Sequence, residues 1–156
     1  MGGGRISGVQ RSGGGVPKVA VADAVITAAG LAGDVQGNLK HHGGPERALC
    51  LFSAEVIAAL QMEGHPIVAG AAGENLTIAG LDWGTLIPGT TLRLGGEAIV
   101  QITSYTKPCS KIAGCFRDRD HGRIAQERHP GWSRLYARVL AGGPVVVGDT
   151  VEVVTG

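Results

Sequence analysis

The spacing of glycine limits this fold more than any other feature. Glycine fills 27 of the 156 positions, without a strict period and mostly in turn-like clusters. The apolar runs between them are short. Strand-like segments are read at Val19–Val21, Ala24–Ala28, Ala48–Phe52, Glu74–Ile78, Thr91–Leu94, Ala98–Thr103, Leu135–Leu140, Val145–Val147 and Val151–Val154, with Arg5–Arg11 as a plausible edge strand. Glycine and proline break the chain between them, and Gly95-Gly96 reads as a hairpin turn. Only Ser53–Met62 carries a good helical pattern: Ser53 as cap, Glu55 in the first turn, Val56, Ile57 and Leu60 on one face, and Gly64 at the C-terminal end. Eight to ten short strands and one helix point to a barrel or a sandwich rather than a doubly wound parallel sheet.

Composition sets the outer bounds. The length suits one domain over residues 1–156, with enough chain to bury a core. A hydrophobic fraction of 44% argues against global disorder, and a net charge of +1 gives no overall pull toward nucleic acid or membrane. The arginines at 117, 119, 123 and 128 interleave with Asp118, Asp120 and Glu127, the pattern of a solvated face. No secretory signal is visible, no apolar run reaches membrane-spanning length, and three irregularly spaced cysteines make no disulfide framework. The expectation is a cytoplasmic, reduced protein. The sequence leaves oligomeric state open.

The stretch Tyr105-Thr106-Lys107-Pro108-Cys109-Ser110-Lys111 carries the first chemistry. It follows a strand and precedes a short helical segment, Ser110–Phe116. Cys109 is therefore expected at a strand-to-helix junction, where a helix N-terminus and flanking lysines favour a thiolate. Pro108 would fix the direction of the thiol. A half-buried structural cysteine behind a turn is the plain alternative. Cys50 reads as core, and Cys115 as an apolar helix residue rather than a resolving thiol.

Two further stretches are too polar and glycine-rich to serve only as turns. Lys40, His42, Gly43, Gly44 and Arg47 lie within Lys40-His41-His42-Gly43-Gly44-Pro45-Glu46-Arg47; Glu74, Asn75 and Thr77 lie within Gly70–Thr77. Glycines let backbone N–H groups approach an anion, and an arginine fork suits a phosphate. Asn75 and Thr77 offer neutral donors and acceptors. Solvated loops and strand-edge capping are the plain readings of the same residues.

Taken in order, Gly33-Asp34, His42-Gly43-Gly44-Pro45-Glu46-Arg47-Ala48, Gly73-Glu74-Asn75-Leu76-Thr77, Gly80-Leu81 and Pro108-Cys109 resemble the signature of the MOSC domain, the C-terminal module of molybdenum-cofactor sulfurases that also occurs as small standalone bacterial proteins. Glutamate at 46 departs mildly from a position that is often aspartate. The resemblance implies a mainly β, closed or nearly closed barrel of short strands with a few helices. It implies the molybdenum cofactor, a molybdopterin, as ligand, with Cys109 as metal ligand and catalytic residue. No pyridoxal-phosphate site is visible in this chain.

The physical reading is compatible with that implication. Molybdenum accepts a thiolate, and a thiolate needs positive surroundings, here Lys107 and Lys111. Lys40, His42 and Arg47, with the Gly43-Gly44 backbone, suit the phosphate of a pterin cofactor, and Asn75 and Thr77 its polar edge. Three functions follow. The first is an oxidoreductase that removes oxygen from an N-hydroxylated small molecule, served by a redox partner. The second is a sulfur carrier that passes Cys109 persulfide to a metal–sulfur centre, with a cysteine desulfurase as donor. The third is a non-catalytic cofactor carrier.

Overall fold

The structure is a computed structural model that describes residues 3–11, 16–34 and 44–154. Lys40, His42 and Gly43 lie outside the described residues. Eleven strands occur among the described residues: β1 (Gly4–Arg11), β2 (Val19–Val21), β3 (Asp23–Thr27), β4 (Gly30–Leu31), β5 (Leu49–Ser53), β6 (Leu76–Ala79), β7 (Thr91–Leu94), β8 (Ala98–Tyr105), β9 (Leu135–Ala141), β10 (Gly143–Val146) and β11 (Thr150–Val154). One α-helix, α1 (Ala54–Met62), lies among them, and short 3-10 segments occupy the connections.

Seven strands form a closed ring in the order β11-β7-β8-β9-β5-β6-β1, because β1 pairs back onto β11. β2 pairs with β1 beside that ring, and β10-β3-β4 make a separate small sheet. The fold is thus mainly β and built on a closed barrel. Closure also corrects the reading of Arg5–Arg11 as an edge strand. β1 pairs with β6 on one side, and on the other with β11 at its start and β2 at its end. These partners are distant in sequence, so local pattern could not reveal them.

The pairing β5–β6 is parallel and is bridged by α1. Parallel neighbours need a crossover, and the one strong helix supplies it. Ser53 caps that helix by accepting the N–H of Val56 at 3.2 Å, and Gly64 takes the left-handed conformation (φ 94°) just beyond its end. Val56, Ile57 and Leu60 are its buried residues. Every residue of β5 is buried, and so are Leu76, Thr77 and Ile78 of β6. The half-buried alternation expected for Glu74–Ile78 is therefore absent, because both faces of this part of the wall are covered. β7 and β8 form the expected hairpin; Leu94 pairs with Ala98, and Gly95 adopts φ 65° in the turn.

Phe52, Leu51, Leu76, Leu92, Val100 and Leu135 belong to a single buried cluster. Among the described residues no helix is long and apolar enough to cross a membrane. Truncation of Phe52, which is fully buried, is predicted to cost about 3–5 kcal/mol in urea-unfolding free energy. Val154→Ala at the exposed end of β11 is predicted to stay within about 0.5 kcal/mol of wild type.

Candidate functional site

Backbone pairing brings the first site residues together. In the β5–β9 pair Cys50 stands opposite Tyr136, and in the β8–β9 pair Ser104 stands opposite the same tyrosine. The 3-10 turn Pro45–Arg47 leads into β5. Gly44 precedes it with φ 92°, a conformation that disfavours side chains other than glycine's. The turn is tied to β8 where the Thr103 hydroxyl donates to the Glu46 carbonyl. Arg47 consequently lies with its guanidinium carbon 5.4 Å from the centroid of the Tyr136 ring.

Cys109 approaches Tyr136 from the end of β8. Beyond Tyr105 the chain is anchored at Thr106, whose N–H donates to the Arg134 carbonyl at 2.9 Å and whose hydroxyl lies 3.7 Å from the Cys50 sulfur. The Ser133 hydroxyl is 3.4 Å from the Thr106 carbonyl. Three residues later Cys109 opens the 3-10 helix Ser110–Cys115, which buries Ile112, Ala113 and Cys115. Cys109 itself is half-buried, whereas Cys50 and Cys115 are buried. The expected helix is thus a six-residue 3-10 segment, too short to carry the dipole of a full α-helix. Positive charge is supplied instead by side chains, with Lys107 and Lys111 exposed on either side of the thiol.

Tyr136 links the two approaches electrostatically. Burial first, then the neighbouring Cys50, push its hydroxyl up to about 12; Arg134 and Arg47 pull it back, and Cys109 adds a small push. Arg47 and Cys109 therefore act on one phenol, although they lie 62 positions apart by their numbering. Cys50 is also raised, first by burial, with Arg134 opposing. Burial holds the Cys115 thiol at about 11.

Glu74, Asn75 and Thr77 face inward. The Asn75 side chain accepts the N–H of Cys50 at 3.0 Å and donates to Asp34 at 3.1 Å, while its own N–H donates to the Cys50 carbonyl at 2.7 Å. Asp34 in turn holds Lys18 at 2.7 Å in a nearly buried pair. The Glu74 carboxylate accepts the Gly70 N–H at 3.0 Å and the Thr77 hydroxyl at 3.1 Å through one oxygen; its other oxygen, Oε1, is buried with no partner among the described residues. Burial raises the Glu74 pKa above the ordinary carboxylate range. The side chains expected to read a guest are thus engaged with the protein, and they fix the wall that carries β5 and β6.

Sequence reasoning missed Arg134 and Tyr136. Arg134 is buried, and its Nη1 donates to the Ala72 carbonyl at 2.7 Å. Alternation along β9 sends Leu135, Ala137 and Val139 to the core and puts Tyr136 on the other face with the exposed Arg138, so the local pattern did not mark its burial. No local pattern marks a buried arginine at the strand's entrance.

The arrangement offers one half-buried soft sulfur and an arginine fork that both act on the same tyrosine. This is a donor set suited to a soft metal ion brought in by an anionic cofactor.

Comparison with known proteins follows this geometry. The family model described as MOSC domain matches residues 38–152. Uncharacterized protein YflK of Bacillus subtilis (strain 168) is 35% identical over 124 residues, which is 79% of this chain and 55% of that protein. Protein YiiM of Escherichia coli (strain K12) is 35% identical over 136 residues, covering 84% of this chain and 59% of that protein. The chain thus spans somewhat more than half the length of these two relatives. The crystal structure of YiiM from Geobacillus stearothermophilus aligns with a TM-score of 0.78 at 25% identity, over 97% of this chain and 75% of that one. That of Escherichia coli YiiM aligns with a TM-score of 0.73 at 29% identity, over 97% and 70% respectively.

The Glu74 carboxyl yields a prediction with a definite sign. Its folded-state pKa is raised, so folding takes up a proton as pH rises above the ordinary carboxylate range. The associated stability is present at low pH and is lost as pH climbs through the folded value. Glu74→Gln, which can present an N–H at the Oε1 position, is predicted to lose less stability than wild type between pH 5 and pH 8. Parallel urea-unfolding series at the two pH values, with a difference of up to about 1.4 kcal/mol per pH unit, provide the check.

Proposed function

The chain belongs to the MOSC domain family, and from that premise we propose that it is a molybdenum-cofactor-dependent oxidoreductase acting on N-hydroxylated small molecules. The observation that carries the reading is the half-buried Cys109, which acts with Arg47 on Tyr136.

The residues divide the work. Cys109 supplies a sulfur ligand from a position fixed by Pro108 on one side and by the buried 3-10 segment on the other. Arg47 would hold a phosphate with its planar fork, and Gly44, whose carbonyl accepts the Arg47 N–H, leaves open space beside it. Lys107, exposed two residues before the thiol, adds positive charge. Lys40, His42 and Gly43, which lie outside the described residues, would complete that basic set. Glu74, Asn75 and Thr77 position the wall beneath the site rather than meet the guest. When bound, the cofactor supplies the two-electron redox chemistry that these side chains cannot.

A second reading has its own support. Of the three cysteines, Cys109 is the one not buried, and a carrier of persulfide sulfur needs an open approach for its donor. In that reading a cysteine desulfurase loads Cys109, and the sulfur passes onward to a metal–sulfur centre. A plain cofactor carrier would bind but not turn over.

The readings separate by experiment. Protein purified from cells that make the cofactor is predicted to contain molybdenum, and Cys109→Ala to retain less than about a tenth of it, since loss of a direct ligand costs at least tenfold. Equally low molybdenum in both proteins would sink the oxidoreductase reading. Mass addition of one sulfur on the Cys109 peptide after incubation with a desulfurase would favour the carrier.

A further inference from the structure

A groove of about 420 Å³ opens beside the loop that leads to Cys109, and the cysteine itself does not line it. The volume lies within the usual range for small-molecule sites. Residues 105–108 line one side, and residues 121–122 and 125–127 the other. The lining is mainly apolar, with Tyr105, Pro108 and Ala125 contributing. Both sides are anchored from elsewhere in the fold. Thr106 is held by the Arg134 carbonyl and by the Ser133 hydroxyl. Arg123, next to Gly122, makes a two-pronged contact with Glu63 at 3.0 and 2.7 Å. Backbone anchored in this way presents a pre-shaped recess, which lowers the ordering cost of binding.

The polar part of the lining favours one kind of partner. His121 and Gln126 are half-buried, and each has a donor to spare. The Gln126 side-chain oxygen accepts the Gly131 N–H at 3.1 Å. That bond fixes the amide and leaves its nitrogen, with two N–H donors, unpartnered among the described residues. His121 makes no hydrogen bond or ion pair among the described residues, and an imidazole donates from at least one ring nitrogen in either protonation state. Asp120, the carboxylate next to it in the chain, is already committed. It accepts both prongs of Arg128 at 2.9 Å and the Gly122 N–H at 3.1 Å. Lys107 and Glu127 are exposed, carry opposite charges and set no net sign. The two half-buried polar side chains therefore call for an acceptor.

We propose that this groove binds a small organic acid, with a flat apolar body against Tyr105, Pro108 and Ala125 and its carboxylate on His121 and the Gln126 amide nitrogen. A carboxylate suits two donors in one recess because it offers two oxygens and a full negative charge. The apolar lining suits a hydrocarbon or aromatic body and disfavours a small, fully hydrated anion. This ligand class is opposite in charge to a basic N-hydroxylated molecule, and its recognition uses neither the thiol nor Arg47. The groove is thus a second ligand site, on the residues that immediately precede Cys109.

Benzoate is the probe. Titration into the full chain, followed by calorimetry and by chemical-shift changes in residues 105–108 and 121–127, is predicted to give saturable binding. Gln126→Glu keeps an oxygen for the Gly131 N–H and puts negative charge in place of the donor, so it should weaken benzoate at least tenfold. His121→Leu should weaken it about tenfold, the effect of losing one hydrogen bond to a charged partner. Ala125→Phe, which fills the groove, should abolish it. Competition in the wild-type protein needs no variant: cyclohexanecarboxylate should displace benzoate, whereas benzamidine and inorganic phosphate should not. Absent binding, binding unchanged in Gln126→Glu and His121→Leu, or displacement by benzamidine or phosphate overturns the proposal. Cys109→Ala should bind benzoate as tightly as wild type, so failure of the cofactor reading would leave this site standing.

Discussion

The side chain of Asn75 holds the working part of this molecule together. It accepts the N–H of Cys50 on β5, while the Asn75 backbone bonds both to the Cys50 carbonyl and to the N–H of Gln10 on β1. Its amide nitrogen reaches Asp34. Three segments remote in sequence therefore meet on one buried residue. Loss of this buried amide would leave the Cys50 N–H without its side-chain acceptor, at about 1–3 kcal/mol. The position of Tyr136, and with it the meeting of Arg47 and Cys109 on that ring, follows from where β5 is held.

Above that clamp the barrel acts as a frame rather than as a container. Closure between β1 and β11 leaves the ring without an edge. It also fixes β8, β9 and β5 side by side. Irregular segments then carry the candidate groups: the Pro45–Arg47 turn and residues 106–109. Each is tied to the frame by a few side chains. This division lets a rigid wall carry a thiol and an arginine with defined separation.

Much of this was legible in the sequence, wherever the determining interactions are local. Ser53 capping α1, Gly64 ending it and the Gly95 turn all act within a few residues, and each was readable. The place of Cys109 between a strand and a short helical turn was readable as well, because the flanking sequence sets it locally. What escaped depends on distant pairing. β1 looked like an edge because its partners β6 and β11 are remote in the chain. Asn75 and Thr77 looked like ligand contacts because polar residues beside glycines usually face outward; here the cover of α1 and the 70–74 segment turns them in. Arg134 gave no sign at all, since nothing in its neighbours announces a buried guanidinium.

The central claim is that a single sulfur is left accessible while its neighbour Cys50 is kept covered by the Asn75 clamp. Alkylation kinetics test it directly. The native protein would be treated with iodoacetamide and each cysteine peptide followed by mass spectrometry, in wild type and in Asn75→Ala. The account predicts that wild type is labelled at Cys109 well before Cys50 or Cys115, and that the variant gains labelling at Cys50 while Cys109 still reacts. A wild-type protein whose Cys109 resists labelling, or whose Cys50 reacts as fast as Cys109, would contradict it.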